Sequence, residues 1–221
     1  MSVAEQITRL QKELPEGVNL LAISKYQPIE AIQEAYDAGQ RMFGENHIQE
    51  MAAKAASLPK DIQWHFTGHV QTNKIKYMAP FVNLIHAVDS FRLLREIDKH
   101  AAKHERCIDC LLQIHIAQED TKYGLTVDEC RQLLTNEPWR ELQHVRITGL
   151  MAMGSNTDDM EQVRNEFKQI KILFDELKEK HFANDPSFCQ ISEGMTDDYP
   201  IAIEEGSNIV RIGSMIFGER K

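Results

Sequence analysis

Lys25 closes an apolar run that begins at Asn19. A lysine in that place has two uses. Deprotonated, and helped toward that form by partial burial, its amine condenses with an aldehyde to give a Schiff base. Left charged, it lays its carbon stem along apolar surface and keeps its ammonium in water. Position alone does not separate the two. Arg211 lies inside another apolar run, Asn208 to Ile212, followed by Gly213 and Ser214. A charge there needs a partner or a wet cavity. Arg211 and Gly213 share one face of a strand by its two-residue period. Gly213 admits a ligand close to the backbone, and Ser214 adds a hydroxyl and an N–H, so a phosphate can settle there. Met195 and Thr196 stand in the loop after a third run, Ser187 to Ser192. Thr196 is placed to cap a short helix with Asp197 and Asp198 in its first turn, where free N–H groups face an anion. The same residues also make a plain N-cap whose aspartates complement the helix dipole.

Cys107 and Cys110 form a C-x-x-C pair, and Cys130 and Cys189 stand alone. A structural zinc site needs four ligands, and no second pair stands at the required spacing. The pair precedes an apolar strand rather than a helix N-terminus, where a thiolate would be stabilised. Reduced thiols and no metal are the expectation.

The elements that carry these residues alternate in type. An amphipathic segment, Val3 to Leu14, places Ile7, Leu10 and Leu14 on one face before Pro15 and Gly17 end it. Eight strand-length runs follow: Asn19–Ser24, Arg41–Gly44, Gln63–Thr67, Asn83–Val88, Asp109–Ile116, Val145–Met151, Ser187–Ser192 and Asn208–Ile212. Helical spacing fills the intervals. Pro28–Ala38 is closed by Gly39, Thr126 caps a helix with Glu129 as its box partner, and Asp158–His181 carries Val163, Phe167, Ile170 and Phe174 on one stripe. This pattern over 221 residues predicts a single (β/α)₈ TIM-type barrel, residues 1–221, with an extra N-terminal helix. A doubly wound sheet is disfavoured by the strand count and by the lack of G-x-G-x-x-G after the first run. In a barrel the active face is built from the C-terminal strand ends. Here these carry Lys25, Asn46, Gly68 with His69, Asp89 with Ser90, Glu193 with Gly194, and Arg211 with Gly213.

The net charge of −9 and the absence of a long basic run argue against nucleic acid as a partner. No apolar run has the length of a membrane span. The first residues lack the charged-then-apolar order of a signal peptide, so the expected location is cytoplasmic.

Several segments occur in an order that resembles the pyridoxal-phosphate homeostasis family. They are Ala22-Ile23-Ser24-Lys25, Phe43-Gly44-Glu45-Asn46, Trp64-His65-Phe66-Thr67-Gly68, Gln71-Thr72-Asn73-Lys74, Gln113-Ile114, Glu119-Asp120-Thr121-Lys122-Tyr123-Gly124, Gly149-Leu150-Met151 and Arg211-Ile212-Gly213-Ser214-Met215-Ile216-Phe217-Gly218. The resemblance implies a fold-type III barrel like the N-terminal domain of alanine racemase, with pyridoxal 5′-phosphate held as an internal aldimine on Lys25. It implies that Arg211 lies near the pyridine nitrogen and that Asn46 lies beside the cofactor. Phosphate contacts are implied from Met195, Thr196, Gly213 and Ser214. It further implies a monomeric carrier without established turnover that supplies client enzymes. Tyr26, Thr67, His69, Glu193 and Thr196 depart from the usual family residues. Thr196 keeps a hydroxyl. Glu193 adds a charge near the phosphate, and strand alternation turns it away from the face of Ser192. The roles of Glu119, Lys122 and Gly124 have no physical account at this stage.

Two other functions fit a lysine in a barrel mouth. A racemase needs a second acid–base group on the opposite substrate face, which fold-type III racemases take from an additional C-terminal domain. The chain stops at Lys221 soon after the last run, so no such domain is expected, and Tyr26 is expected to point away. A cofactor-free aldolase would use Lys25 with Asp89 or Glu45 as its acid–base partner.

Overall fold

The computed structural model describes residues 1–117 and 123–218. Its eight strands are β1 (Asn19–Ile23), β2 (Met42–Glu45), β3 (Gln63–Phe66), β4 (Leu84–Val88), β5 (Ile108–Ile114), β6 (Val145–Ala152), β7 (Gln190–Ser192) and β8 (Ile209–Ile212). They pair in sequence order, all parallel, and β8 returns to β1 to close a barrel. Strands covered by helices on one side and by each other's side chains on the other are buried on both faces. That is why they read as apolar runs. Leu84–Val88 is buried along its whole length.

The helices are α1 (Val3–Glu13), α2 (Ile29–Asp37), α3 (Ile48–Ser57), α4 (Ile75–Met78), α5 (Phe91–Ala102), α6 (Val127–Asn136), α7 (Met160–His181), α8 (Tyr199–Glu204) and α9 (Ser214–Phe217). α1 begins at a capping box between Ser2 and Glu5, buries Ile7 and Leu10, and packs on α2 and α9. α6 begins at the expected box between Thr126 and Glu129. α7 buries Val163, Phe167, Ile170 and Phe174. None of the described helices is long and apolar enough to cross a membrane.

Three expectations need correction. β7 starts at Gln190, not Ser187, because Asp185 accepts the N–H and hydroxyl of Ser187 and holds that stretch in a turn. The cysteine pair does not precede β5 but straddles its start, with Cys107 exposed and Cys110 buried inside the strand. Both are free thiols, and the described residues contain no metal-binding cluster of His, Cys, Asp and Glu. The helix after β7 is not capped by Thr196. It starts at Tyr199 with Asp198 in the N-cap position, because the Asp198 carboxylate accepts the Met195 N–H and ties residues 195–198 into a turn. Asp197 and Asp198 therefore precede the helix instead of filling its first turn.

Candidate cofactor site

Strand alternation decides which side chains reach the barrel interior. Leu21 is the register partner of Arg211, so both face inward. Continuing by twos from Leu21 gives Ile23, the last residue of β1, and then Lys25, the next inward position beyond the strand. Lys25 and Arg211 line one cavity of about 260 Å³ at the C-terminal mouth of the barrel. Asn46, Met195, Thr196, Gly213 and Ser214 line it too. The sequence scatters these seven residues from 25 to 214, and the barrel gathers them. Ile23, Gln27, Thr67, Met151, Met153, Asp197 and Gly218 complete the wall. A larger groove, about 520 Å³, surrounds Trp139 and Phe182 near the start of β6 and contains none of the seven. The chemistry-bearing groups decide between the two, not size.

Arg211 is 5% exposed and is held by the barrel through two of its guanidinium nitrogens. One guanidinium nitrogen donates to the Ser192 carbonyl at 2.6 Å and to its hydroxyl at 2.8 Å, and another donates to the Ala152 carbonyl at 2.8 Å. Burial lowers its pKa to about 10, with Glu193 and Asp198 opposing, so it stays cationic at neutral pH. Behind it runs a buried chain. Ser192 Oγ is 3.0 Å from His86 Nδ1, and His86 Nε2 is 3.0 Å from His65 Nδ1. Burial holds His65 at about 4 and His86 well below its ordinary value, so both rings are neutral. The hydroxyl of Ser192 accepts from Arg211 and is free to donate to His86, which passes a proton donor on to His65.

At the rim, the hydroxyls of Ser214 and Thr196 lie 3.2 Å apart. Thr67 donates to Asn46 Oδ1 at 2.7 Å and fixes the amide. The backbone of Asn46 is fixed by Gly68, since a Cβ there would strike the Asn46 peptide. Met195 is 42% exposed, and with Ile23, Met151 and Met153 it gives the cavity apolar walls.

Some candidates fall outside. Glu45 and Asp89, the proposed aldolase partners, do not line the cavity. Glu45 points outward from β2 to α3, and Asp89 lies 4.0 Å from His69. Tyr26 is exposed, with its phenol 2.7 Å from His47. Glu193 is buried away from the cavity, as alternation predicted. Its carboxyl oxygens have no hydrogen-bond partner among the described residues, and burial pushes its pKa well up. Glu119 and Lys122 lie outside the described residues. Gly124 has φ +137° and packs against the backbone of β5.

The match to known proteins follows the geometry. Residues 2–221 match the family described as alanine racemase, N-terminal domain. The pyridoxal phosphate homeostasis protein of Aquifex aeolicus is 39% identical over 99% of this chain and 96% of its own length. The chain belongs to that family. PipY of Synechococcus elongatus PCC7942, solved without pyridoxal phosphate, superposes with a TM-score of 0.91 at 34% identity, covering 98% of this chain and all of that one. PipY with pyridoxal phosphate bound superposes at 0.87 over the same coverage.

The donor set of the cavity fits that cofactor. It offers a primary amine for an aldehyde, paired hydroxyls for a phosphate, a buried cation and apolar walls for a ring. Sequence reasoning missed His65, His86 and Ser192 behind Arg211, and Lys54 behind Lys25. Lys54 carries a signal in hindsight: it falls on the stripe of α3 that buries Ile48, Met51 and Ala55.

Proposed function

We propose that this protein binds pyridoxal 5′-phosphate in the barrel mouth, keeps it on Lys25, and acts as its store and carrier without established turnover. The observation that carries this reading is one cavity lined at once by Lys25, Arg211 and the Thr196–Ser214 hydroxyl pair. Bound there, pyridoxal phosphate supplies an aldehyde carbon that a neutral amine attacks with loss of water. Lys25 is the amine. Thr196, Ser214 and the backbone at Gly213 would hold the phosphate, with Met195 covering it and Asn46 beside the ring.

Arg211 argues for storage over catalysis. A guanidinium that stays charged donates to a ring nitrogen and withholds a proton from it, which weakens the ring as an electron sink. The family relationship supports a monomer of the cytoplasm that hands the cofactor to enzymes requiring it. It also supports pyridoxal phosphate as the ligand.

The test is the visible absorption spectrum of the purified protein before and after borohydride reduction, followed by peptide mass mapping. The expected result is a yellow protein whose reduced pyridoxyl group maps to residue 25. Lys25→Ala loses the colour and keeps the wild-type circular dichroism. A protein that stays colourless with added pyridoxal phosphate overturns the reading.

A further inference from the structure

Lys25 sits in a tight turn that α3 grips on both sides. Gln27 N–H donates to the Ser24 carbonyl at 3.0 Å, so Lys25 and Tyr26 are the turn's two central residues. Tyr26 has φ +64°, a value that this turn usually gives to glycine or asparagine. The Ser24 carbonyl also accepts from Lys54 Nζ at 2.8 Å. The Tyr26 N–H donates to Glu50 Oε1 at 2.7 Å. Lys54 and Glu50 are one helical turn apart on α3 and 2.6 Å from each other. Lys54 also reaches Glu45 Oε1 at 2.8 Å, and the Ser24 hydroxyl donates to the same oxygen at 2.6 Å.

We propose that Lys54 and Glu50 are positioning residues for Lys25, holding the peptide groups on either side of it so that its amine stays at the cavity. The proposal rests on the reading of Lys25 as the attachment point. Lys54 and Glu45 are buried, and a buried ion pair is a poor source of stability compared with apolar packing. What it provides here is direction. Lys54 ties α3 to the Ser24 carbonyl just past β1, and Glu50 holds the N–H of the left-handed Tyr26. Displacing a reacting group by an ångström costs a large factor in reaction rate.

The experiment compares wild type, Glu50→Ala and Glu50→Gln by two readouts. The first is amide hydrogen exchange at Tyr26 in cofactor-free protein. The second is the rate of pyridoxal phosphate capture per folded molecule. Glu50→Ala is expected to speed Tyr26 exchange and slow capture, each by about tenfold or more, the worth of one hydrogen bond to a charged group. Glu50→Gln keeps a carbonyl for the Tyr26 N–H and restores most of both. Lys54→Met alone strands the buried Glu45 and risks unfolding, so Lys54→Met with Glu45→Gln tests Lys54 without that buried charge, with capture expected to slow likewise. A Glu50→Ala protein with only a lower urea midpoint, and with exchange and capture unchanged, overturns the proposal. If wild type captures no pyridoxal phosphate, the cofactor reading fails. Tyr26 exchange then decides the positioning claim by itself, in the same two directions.

Discussion

The Thr196 and Ser214 hydroxyls, 18 positions apart after the adjacent strands β7 and β8, meet at 3.2 Å, and each has one hydrogen that it can turn toward an anion. Against a phosphate dianion such bonds are charge-assisted, each worth about 1.5–3 kcal/mol. Asp197 lines the same cavity but is exposed, which keeps its carboxylate solvated and its repulsion small. Thr196→Ala and Ser214→Ala are each expected to weaken retention of pyridoxal phosphate by about tenfold or more. Retention of pyridoxal, which lacks the phosphate, is expected to stay at the wild-type value. Titration of each variant with both compounds gives the answer. An equal loss for the two compounds would mean that the hydroxyls hold the turn and not the phosphate.

At the level of elements, the site depends on how closely β2 and β3 approach at their C-terminal ends. Gly68 lies against the Asn46 peptide with no room for a Cβ. Gly68→Ala must therefore spread the strand ends and move Asn46 and Thr67 with them. The expected cost is about 1–3 kcal/mol of stability, the range for overpacking, together with weaker cofactor retention. Thr126→Ala, at the capping box of α6, provides the contrast. It should cost about 1 kcal/mol through the lost cap and leave retention unchanged. Urea unfolding and cofactor titration on both variants separate the two effects. The same elements explain what the sequence made legible. Strands buried on both faces announce themselves as apolar runs, caps such as Thr126 are local, and the inward period of two carries Leu21 to Lys25. Contacts made only by closure stayed hidden. Ser192 and His86 meet across 106 positions, and Lys54 needs α3 folded back on β1 before its charge has a partner. The start of β7 was misplaced because the apolar count says nothing of the Asp185 side chain that bends Ser187 into a turn.

Taken as a whole, the barrel encloses ionisable groups of opposing sign in their response to acid. His65 and His86 are neutral when folded, with His65 held at about 4 against an ordinary 6.5. As pH falls below 6.5 the unfolded chain takes up those protons first, so the pair draws stability down, for His65 until about pH 4. Glu193 works in reverse. Its folded carboxyl holds a proton at pH values where the unfolded one, at 4.5, has lost it. It therefore removes stability as pH rises above 4.5 and returns it on acidification. The burial that raises its pKa is opposed by Arg211 and reinforced by Asp198 and Glu205. Glu193→Met takes away this one proton and the unpartnered carboxyl with it. At pH 7 the variant should be more stable by roughly 1–3 kcal/mol, the penalty of an unsatisfied buried polar group. Between about pH 5 and 6.5 its stability should fall more steeply with acid than wild type, by up to about 1.4 kcal/mol per pH unit, because the histidines then act unopposed. Urea midpoints for both proteins across that window measure the slopes directly. Parallel slopes would show that Glu193 carries no proton in the fold and that its charge is met by Arg211 through the barrel wall.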